Sequence, residues 1–166
     1  MPVFVLDSNV FISSHQTNYP FDVVPGFWNQ LEKLADKGQI ISIDKVRSEL
    51  LVHTDELTLW LETNLPSDFF KSTQTSSAVK YYTRLTQWAT SRDNHYLQKA
   101  IDEFLEYENA DAWLVAFCKA NDYTLITQEV SNPWQKNRIP LPQACIELNV
   151  SYQNLITLFR DLNIRF

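Results

Sequence analysis

A chain of 166 residues, 45% hydrophobic and 13% aromatic, can bury the core of one domain and is too apolar for a disordered protein. Its formal charge of −6 argues against a general electrostatic nucleic-acid binder, yet leaves nucleic acid open as a substrate, because carboxylates that recruit divalent cations also make a place for phosphate. The two glycines, Gly26 and Gly38, are too few for a Walker A loop or a dinucleotide fingerprint.

The first predicted strand is Val3-Phe4-Val5-Leu6, whose unbroken apolar run suits a parallel strand covered on both faces. It stops at Asp7-Ser8-Asn9, and an acid at the carboxyl end of a central parallel strand lies where open α/β sheets place their ligands. Val10-Phe11-Ile12 continues into a short helical turn, and Tyr19-Pro20 and Val24-Pro25-Gly26 read as loop and helix entry. Phe27, Trp28, Leu31, Leu34 and Ala35 keep a helical period as far as Lys37, with Gly38 as the stop. Ile40-Ile41-Ser42-Ile43 is the second strand of a right-handed βαβ unit. Asp44 is placed to cap a helix carrying Val46, Leu50 and Leu51, with Glu49 one turn in. Asp55 caps the next, through Leu57, Trp60 and Leu61, which breaks near Asn64-Leu65-Pro66; Phe69-Phe70 reads as a third strand.

From Thr73 to Asn109 the pattern reads as wholly helical. Tyr81, Leu85 and Trp88 share one face, Leu97, Ile101, Phe104 and Leu105 another, and Ser91 to Asn94 form the turn. Asn109-Ala110-Asp111 then opens a helix with Leu114, Val115 and Cys118 inward, ended by Asn121-Asp122 before the strand Thr124-Leu125-Ile126-Thr127. Pro140 and Pro142 introduce a short helix with Ala144, Cys145 and Leu148. Val150-Ser151-Tyr152 is a last edge strand, and Leu155, Leu158, Phe159 and Leu162 mark a final amphipathic helix. The expected architecture is one domain over 1–166, a three-layer α/β/α sandwich around a mostly parallel sheet, with a helical arm at about 73–108. Cys118 and Cys145 are unpatterned and read as buried free thiols. With no signal peptide or membrane-length apolar stretch in view, a cytoplasmic protein without membrane contact is expected.

Taken singly, four acids have ordinary explanations. Asp7 can begin a turn, Glu49 can face water from a helix, Asp111 gains from the dipole of the helix it opens, and Glu129 is a loop acid. Together they change meaning, because Asp7 and Glu129 follow parallel strands while Glu49 and Asp111 begin helices at the same sheet edge. Carboxylates so close raise one another's pKa unless a cation intervenes, and hard oxygens suit Mg²⁺ or Mn²⁺.

Four stretches carry a family resemblance: Val3 to Asn9, Val46-Arg47-Ser48-Glu49-Leu50, Ala110-Asp111-Ala112-Trp113-Leu114-Val115-Ala116, and Leu125-Ile126-Thr127-Gln128-Glu129. In this order they resemble the four acidic blocks of the PIN-domain nucleases, which include the VapC-like toxins of bacterial toxin–antitoxin pairs. The tail from Arg138-Ile139-Pro140 through Cys145 to Val150, with the terminal helix, is similar to an uncharacterised bacterial PIN-like subgroup. The resemblance covers nearly the whole chain and implies that Asp7, Glu49 and Asp111 are the core metal-binding, catalytic acids. Glu129 falls where the more variable fourth acid is usually aspartate, which leaves direct and water-mediated metal contact both open. Ser8, Asn9 and Thr127 match positions that orient the acids. The implied activity is Mg²⁺- or Mn²⁺-dependent hydrolysis of RNA by a toxin with a protein antitoxin, in a family whose members often form homodimers.

Lys45 and Arg47 beside Glu49, and Lys136, Asn137 and Arg138 after Glu129, either steer a phosphate backbone or form solvated faces. Tyr81, Tyr82, Trp88 and Tyr96, interleaved with Lys80, Arg84, Arg92 and Lys99, either stack bases or pack in the core. His15, His53 and His95 lie in unrelated segments, and the implied chemistry needs none of them. Two other readings compete with the nuclease: a catalytically weak PIN-fold protein-binding module, and an aspartyl phosphotransfer enzyme. The latter is weak because Asn9 stands where haloacid-dehalogenase-type phosphatases have a second aspartate.

Overall fold

The computed structural model describes residues 2–166. Strand β1 (Phe4–Leu6) is central in a five-stranded sheet of order β3-β2-β1-β4-β5, completed by β2 (Ile40–Ile43), β3 (Phe70–Lys71), β4 (Thr124–Ile126) and β5 (Tyr152–Gln153). Every pairing is parallel, so the sheet is more uniform than the mostly parallel one expected. Phe4 aligns with Ile40 on one side and Thr124 on the other, which puts the ends of β1, β2 and β4 level. Successive strands run outward from β1 through β2 to β3, then restart on its other side with β4 and β5. The reversal between β1 and β4 is where an open parallel sheet leaves a crevice at its carboxyl edge.

Helices cover the sheet. They are α1 (Ser8–Ser13), α2 (Pro25–Asp36), α3 (Asp44–Leu51), α4 (Glu56–Asn64), α5 (Ser76–Ala89), α6 (Gln98–Phe104), α7 (Ala110–Asn121), α8 (Leu141–Leu148) and α9 (Leu155–Asp161). A π-helical turn, Ser14–Asn18, extends α1. Among the described residues no helix is long and apolar enough to cross a membrane. The unbroken apolar run of β1 has its cause in this layering, since Phe4, Val5 and Leu6 are all buried. The same holds for α7, buried from Ala112 to Cys118 because α5 lies on its outer side. With so few glycines, asparagine and aspartate end helices: Asp122, Asn149 and Asn163 adopt the left-handed conformation at φ of 57°, 55° and 55°.

Two local expectations change. Residues 73–109 are not wholly helical, because the chain leaves α5 after Ala89 and re-enters α6 only at Gln98. Asn94 Nδ2 donates to the Trp88 carbonyl at 2.9 Å, and the Leu97 N–H donates to the Lys136 carbonyl at 2.9 Å, so a tertiary contact captures the segment in an extended form. Its aromatics also pack inward, with Tyr82 stacked on Trp113 at 4.0 Å and Trp88 edge-on to Tyr96 and Phe104. Asp44 is the first residue of α3 rather than its cap. Its carboxylate accepts from the Thr73 N–H at 3.1 Å and the Thr73 hydroxyl at 2.9 Å, fastening the segment after β3 to α3. Cys118 and Cys145 are buried free thiols.

Candidate functional site

The crevice is built outward from Asp7. Its backbone N–H continues the ladder by donating to the Ile126 carbonyl at 3.0 Å, which locks the end of β1 to the end of β4. The Ser42 hydroxyl donates to the Leu6 carbonyl at 2.6 Å and fixes the other flank. Asp7 is therefore carried into the interior with only 2% of its surface exposed. Thr127, following β4, donates its hydroxyl to Asp7 Oδ2 at 3.1 Å. Thr127 Oγ1 also accepts the Glu129 N–H at 3.2 Å, so one hydroxyl sets the turn that positions both acids.

Glu49 reaches the same place from α3. Its Oε2 accepts from the Ser8 hydroxyl at 2.7 Å and its Oε1 from the Ala110 N–H at 2.9 Å. That N–H is one of the unpaired donors at the start of α7, so the carboxylate satisfies a helix end as well as meeting the start of α1. Asn109 caps α7 with its side chain, accepting from the Asp111 N–H at 2.9 Å and so fixing Asp111 in the first turn.

Glu129 also has both oxygens engaged. Oε2 accepts from the Leu141 N–H at 2.7 Å, at the start of α8, and Oε1 is paired with the Arg138 guanidinium. The same guanidinium lies 3.5 Å from Asp111 Oδ2. Arg138 thus points into the crevice from the loop 130–138 and bridges two of the acids, while its own side chain remains 45% exposed. The loop is held elsewhere by His95, whose ring nitrogen meets the Gln135 carbonyl at 2.9 Å, and by the Gln143 side chain, which accepts the Asn132 N–H at 2.8 Å.

Charge and burial act most strongly on the two aspartates. Burial, followed by the Glu129 charge, pushes the Asp7 carboxyl up to about 6, with Glu49 adding to the rise and the Thr127 and Ser8 hydrogen bonds opposing it. Burial, then Asp7, then Glu129 hold the Asp111 carboxyl well above the ordinary range, with Arg138 only partly opposing them. Opposing charges also stabilise the guanidinium, raising the Arg138 pKa despite its partial burial.

The sequence-predicted residues separate into two groups. Asp7, Glu49, Asp111, Glu129, Ser8, Thr127 and Arg138 meet at the carboxyl edge of the sheet. Asn9 is exposed on α1. Arg47 instead lines a cavity of ≈ 380 Å³ with Leu51, Leu61 and Phe70, between α3, α4 and β3. Lys136 and Asn137 are exposed on the loop. Lys45 does not face solvent: it is only 7% exposed and its ammonium lies 3.4 Å from the Tyr107 ring centroid. The sequence reading did not single out Tyr107 or the N–H groups of Ala110 and Leu141; a helix-opening Asn109 and Pro140 were the available signals for the last two.

Among the described residues no three His, Cys, Asp or Glu side chains form a ready-made metal cage. The donor set nonetheless fits a hard cation. It is all carboxylate oxygen, and at its centre Asp7 is buried and Asp111 has a side chain 18% exposed, with Arg138 only partly balancing their charge. Mg²⁺ characteristically uses one or two carboxylates, completed by water and substrate phosphate, and does not need a full protein cage. Asp7 and Asp111 suit that role, whereas each oxygen of Glu49 and Glu129 already has a protein partner.

Comparison with known proteins adds two findings. The sequence matches the family described as a domain of unknown function (DUF4411) over residues 4–166. The crystal structure of VapBC2 from Rickettsia felis bound to a DNA fragment from their promoter contains a chain of similar fold. The TM-score is 0.53 at 14% identity, over 92% of this chain and 98% of that one. At that identity the likeness is one of fold, and it agrees with the PIN-like architecture implied by the acidic blocks. No curated protein matches.

Proposed function

The chain belongs to the DUF4411 family and has a PIN-like fold, and from that premise we propose that it is a divalent-metal-dependent endoribonuclease, the toxin of a toxin–antitoxin pair. The observation that carries the proposal is the placement of Asp7, buried, and Asp111, largely so, at the switch point of the sheet, with both carboxyls driven upward by burial and by neighbouring carboxylates. A structural role alone would favour an amide or an apolar residue at such positions.

Asp7 and Asp111 would hold the cation, Mg²⁺ or Mn²⁺, which would supply Lewis acidity and offset the charge of a phosphodiester. Thr127 orients Asp7 through its hydroxyl, Ser8 ties Glu49 to the start of α1 next to Asp7, and Glu49 fixes α7, hence Asp111, through the Ala110 N–H. Glu129 holds Arg138 at the crevice, where the guanidinium is placed to receive a substrate phosphate oxygen when it leaves Asp111. One carboxylate, acting through water, accepts the proton of the attacking water. The partner that restrains such a toxin would cover this edge, as expected of an antitoxin.

Arg138 is also the observation that favours a second reading, a catalytically weak PIN-fold protein-binding module. A guanidinium between Asp111 and Glu129 already neutralises part of the crevice without a metal. Cleavage of a mixed single-stranded RNA pool in Mn²⁺ separates the two. The nuclease reading requires cleavage by the natural sequence and none by Asp7→Asn or Asp111→Asn. Equal cleavage by all three, or none with any divalent metal, removes it.

A further inference from the structure

We propose that Tyr107, with Lys45 beneath it, is a nucleobase-stacking platform that seats the base adjoining the reacting phosphate of a single-stranded RNA. The inference rests on the nuclease reading and names a specificity element for it. Tyr107 lies between α6 and α7 and is 55% exposed. One face of its ring is occupied, since Lys45 Nζ sits 3.4 Å from the centroid. The Trp113 ring meets it nearly perpendicularly, at 84° and 6.2 Å between centroids. Its exposure therefore belongs to the opposite face and outer edge. The backing is firm: Trp113 is stacked on Tyr82 at 4.0 Å, and the Tyr82 hydroxyl donates to the Leu105 carbonyl at 3.1 Å.

Lys45 gives the platform its polarity. It is more than nine-tenths buried, yet no ion pair among the described residues includes it, because Glu49, one turn further along α3, is committed to Ser8 and the Ala110 N–H. With no carboxylate paired to it, the ammonium beneath the ring leaves a net positive charge close behind the platform. An open aromatic face backed by a cation matches a nucleotide: the base stacks on the free face, and the charge behind the ring attracts the polyanionic strand. Every base has a stacking face, so the platform tolerates sequence while demanding single strands. Its position fits the chemistry, because Lys45 and Glu49 are four residues apart on α3 and so share a helix face, and Tyr107 precedes by three residues the Ala110 N–H that Glu49 accepts.

The test is binding of fluorescein-labelled single-stranded RNA to the full chain, followed by anisotropy with Ca²⁺ replacing Mg²⁺. Tyr107→Ala is expected to weaken binding about ten-fold and Tyr107→Phe by less than about two-fold, since the ring is retained. The gap between wild type and Tyr107→Ala should close for an oligonucleotide with one abasic position at the stacked nucleotide. Lys45→Met should reduce the slope of log affinity against log salt by about 1. Unchanged affinity in Tyr107→Ala, or equal losses in the Ala and Phe variants, overturns the platform. If that happens while Mn²⁺-dependent cleavage still needs Asp7, the platform alone falls; if the natural sequence neither binds nor cleaves RNA, both proposals fall.

Discussion

The four crevice acids occupy two different environments, although they share one edge of one sheet. Glu49 and Glu129, on the flanks, are satisfied: each accepts a backbone N–H at a helix start and a second donor, Ser8 for one and Arg138 for the other. Asp7 and Asp111, at the centre, are left with burial and carboxylate repulsion that the Thr127 hydrogen bond to the first and the Arg138 guanidinium beside the second do not offset. On the proposed reading the flanks are structural clamps, and the centre is where a cation would offset the carboxylate charge. Longer side chains serve the clamps, which must reach across from α3 and from the turn after β4. Short aspartates serve the centre, where reach would only add freedom.

This contrast gives opposite signs for substitutions at the two places. The largest expected effect is on catalysis: Asp7→Asn should lower the cleavage rate on the order of a thousand-fold, about 4 kcal/mol, in a single-turnover assay. The same variant should be more stable than the natural sequence at neutral pH without metal. The Asp7 carboxyl stands at about 6 in the fold against an ordinary 3.8, so between these values the folded chain holds a proton that the unfolded chain has lost. Its contribution is whole below the lower value, declines as pH rises through the window, and is absent above the upper one. The difference amounts to about 3 kcal/mol over that interval. Denaturant titrations of both proteins from pH 3 to pH 8 measure it as a gap that widens as pH rises.

Glu49→Gln tests a clamp. The amide replaces one of the two acceptor oxygens with an NH₂ donor, so one of the contacts to the Ser8 hydroxyl and the Ala110 N–H is lost and stability should fall by about 2 kcal/mol. The smallest expected effect is Arg138→Ala. Because that side chain is 45% exposed, its loss should lower stability by less than about 1 kcal/mol, while Mn²⁺ raises the melting temperature more than it does in the natural sequence.

The sequence made the convergence visible but not this division of labour. An apolar strand ending in Asp7, and a helix opened by Asn109-Ala110-Asp111, are local patterns whose place follows from parallel topology. The level ends of β1 and β4 turn those patterns into one crevice. Which carboxylate is already paired depends on side-chain directions and on backbone donors such as those of Ala110 and Leu141, and no spacing encodes these. The loop 130–138 has no periodicity, so nothing local aims Arg138 at Asp111 or leaves Lys136 outside. Lys45 read as a surface cation because lysine ordinarily faces water, whereas Tyr107, which covers its ammonium, arrives from sixty-two residues away. The 73–109 segment misleads for a related reason: a hydrogen bond from Leu97 to Lys136 overrides its helical pattern.

The central claim concerns charge balance between Asp7 and Asp111, and Mn²⁺ binding followed by the electron paramagnetic resonance of the free ion tests it most directly. At neutral pH the natural sequence should remove Mn²⁺ from solution, Glu129→Gln should retain most of that capacity, and Asp7→Asn or Asp111→Asn should lose it. Undiminished binding by both aspartate variants, or none by the natural sequence, would contradict the account.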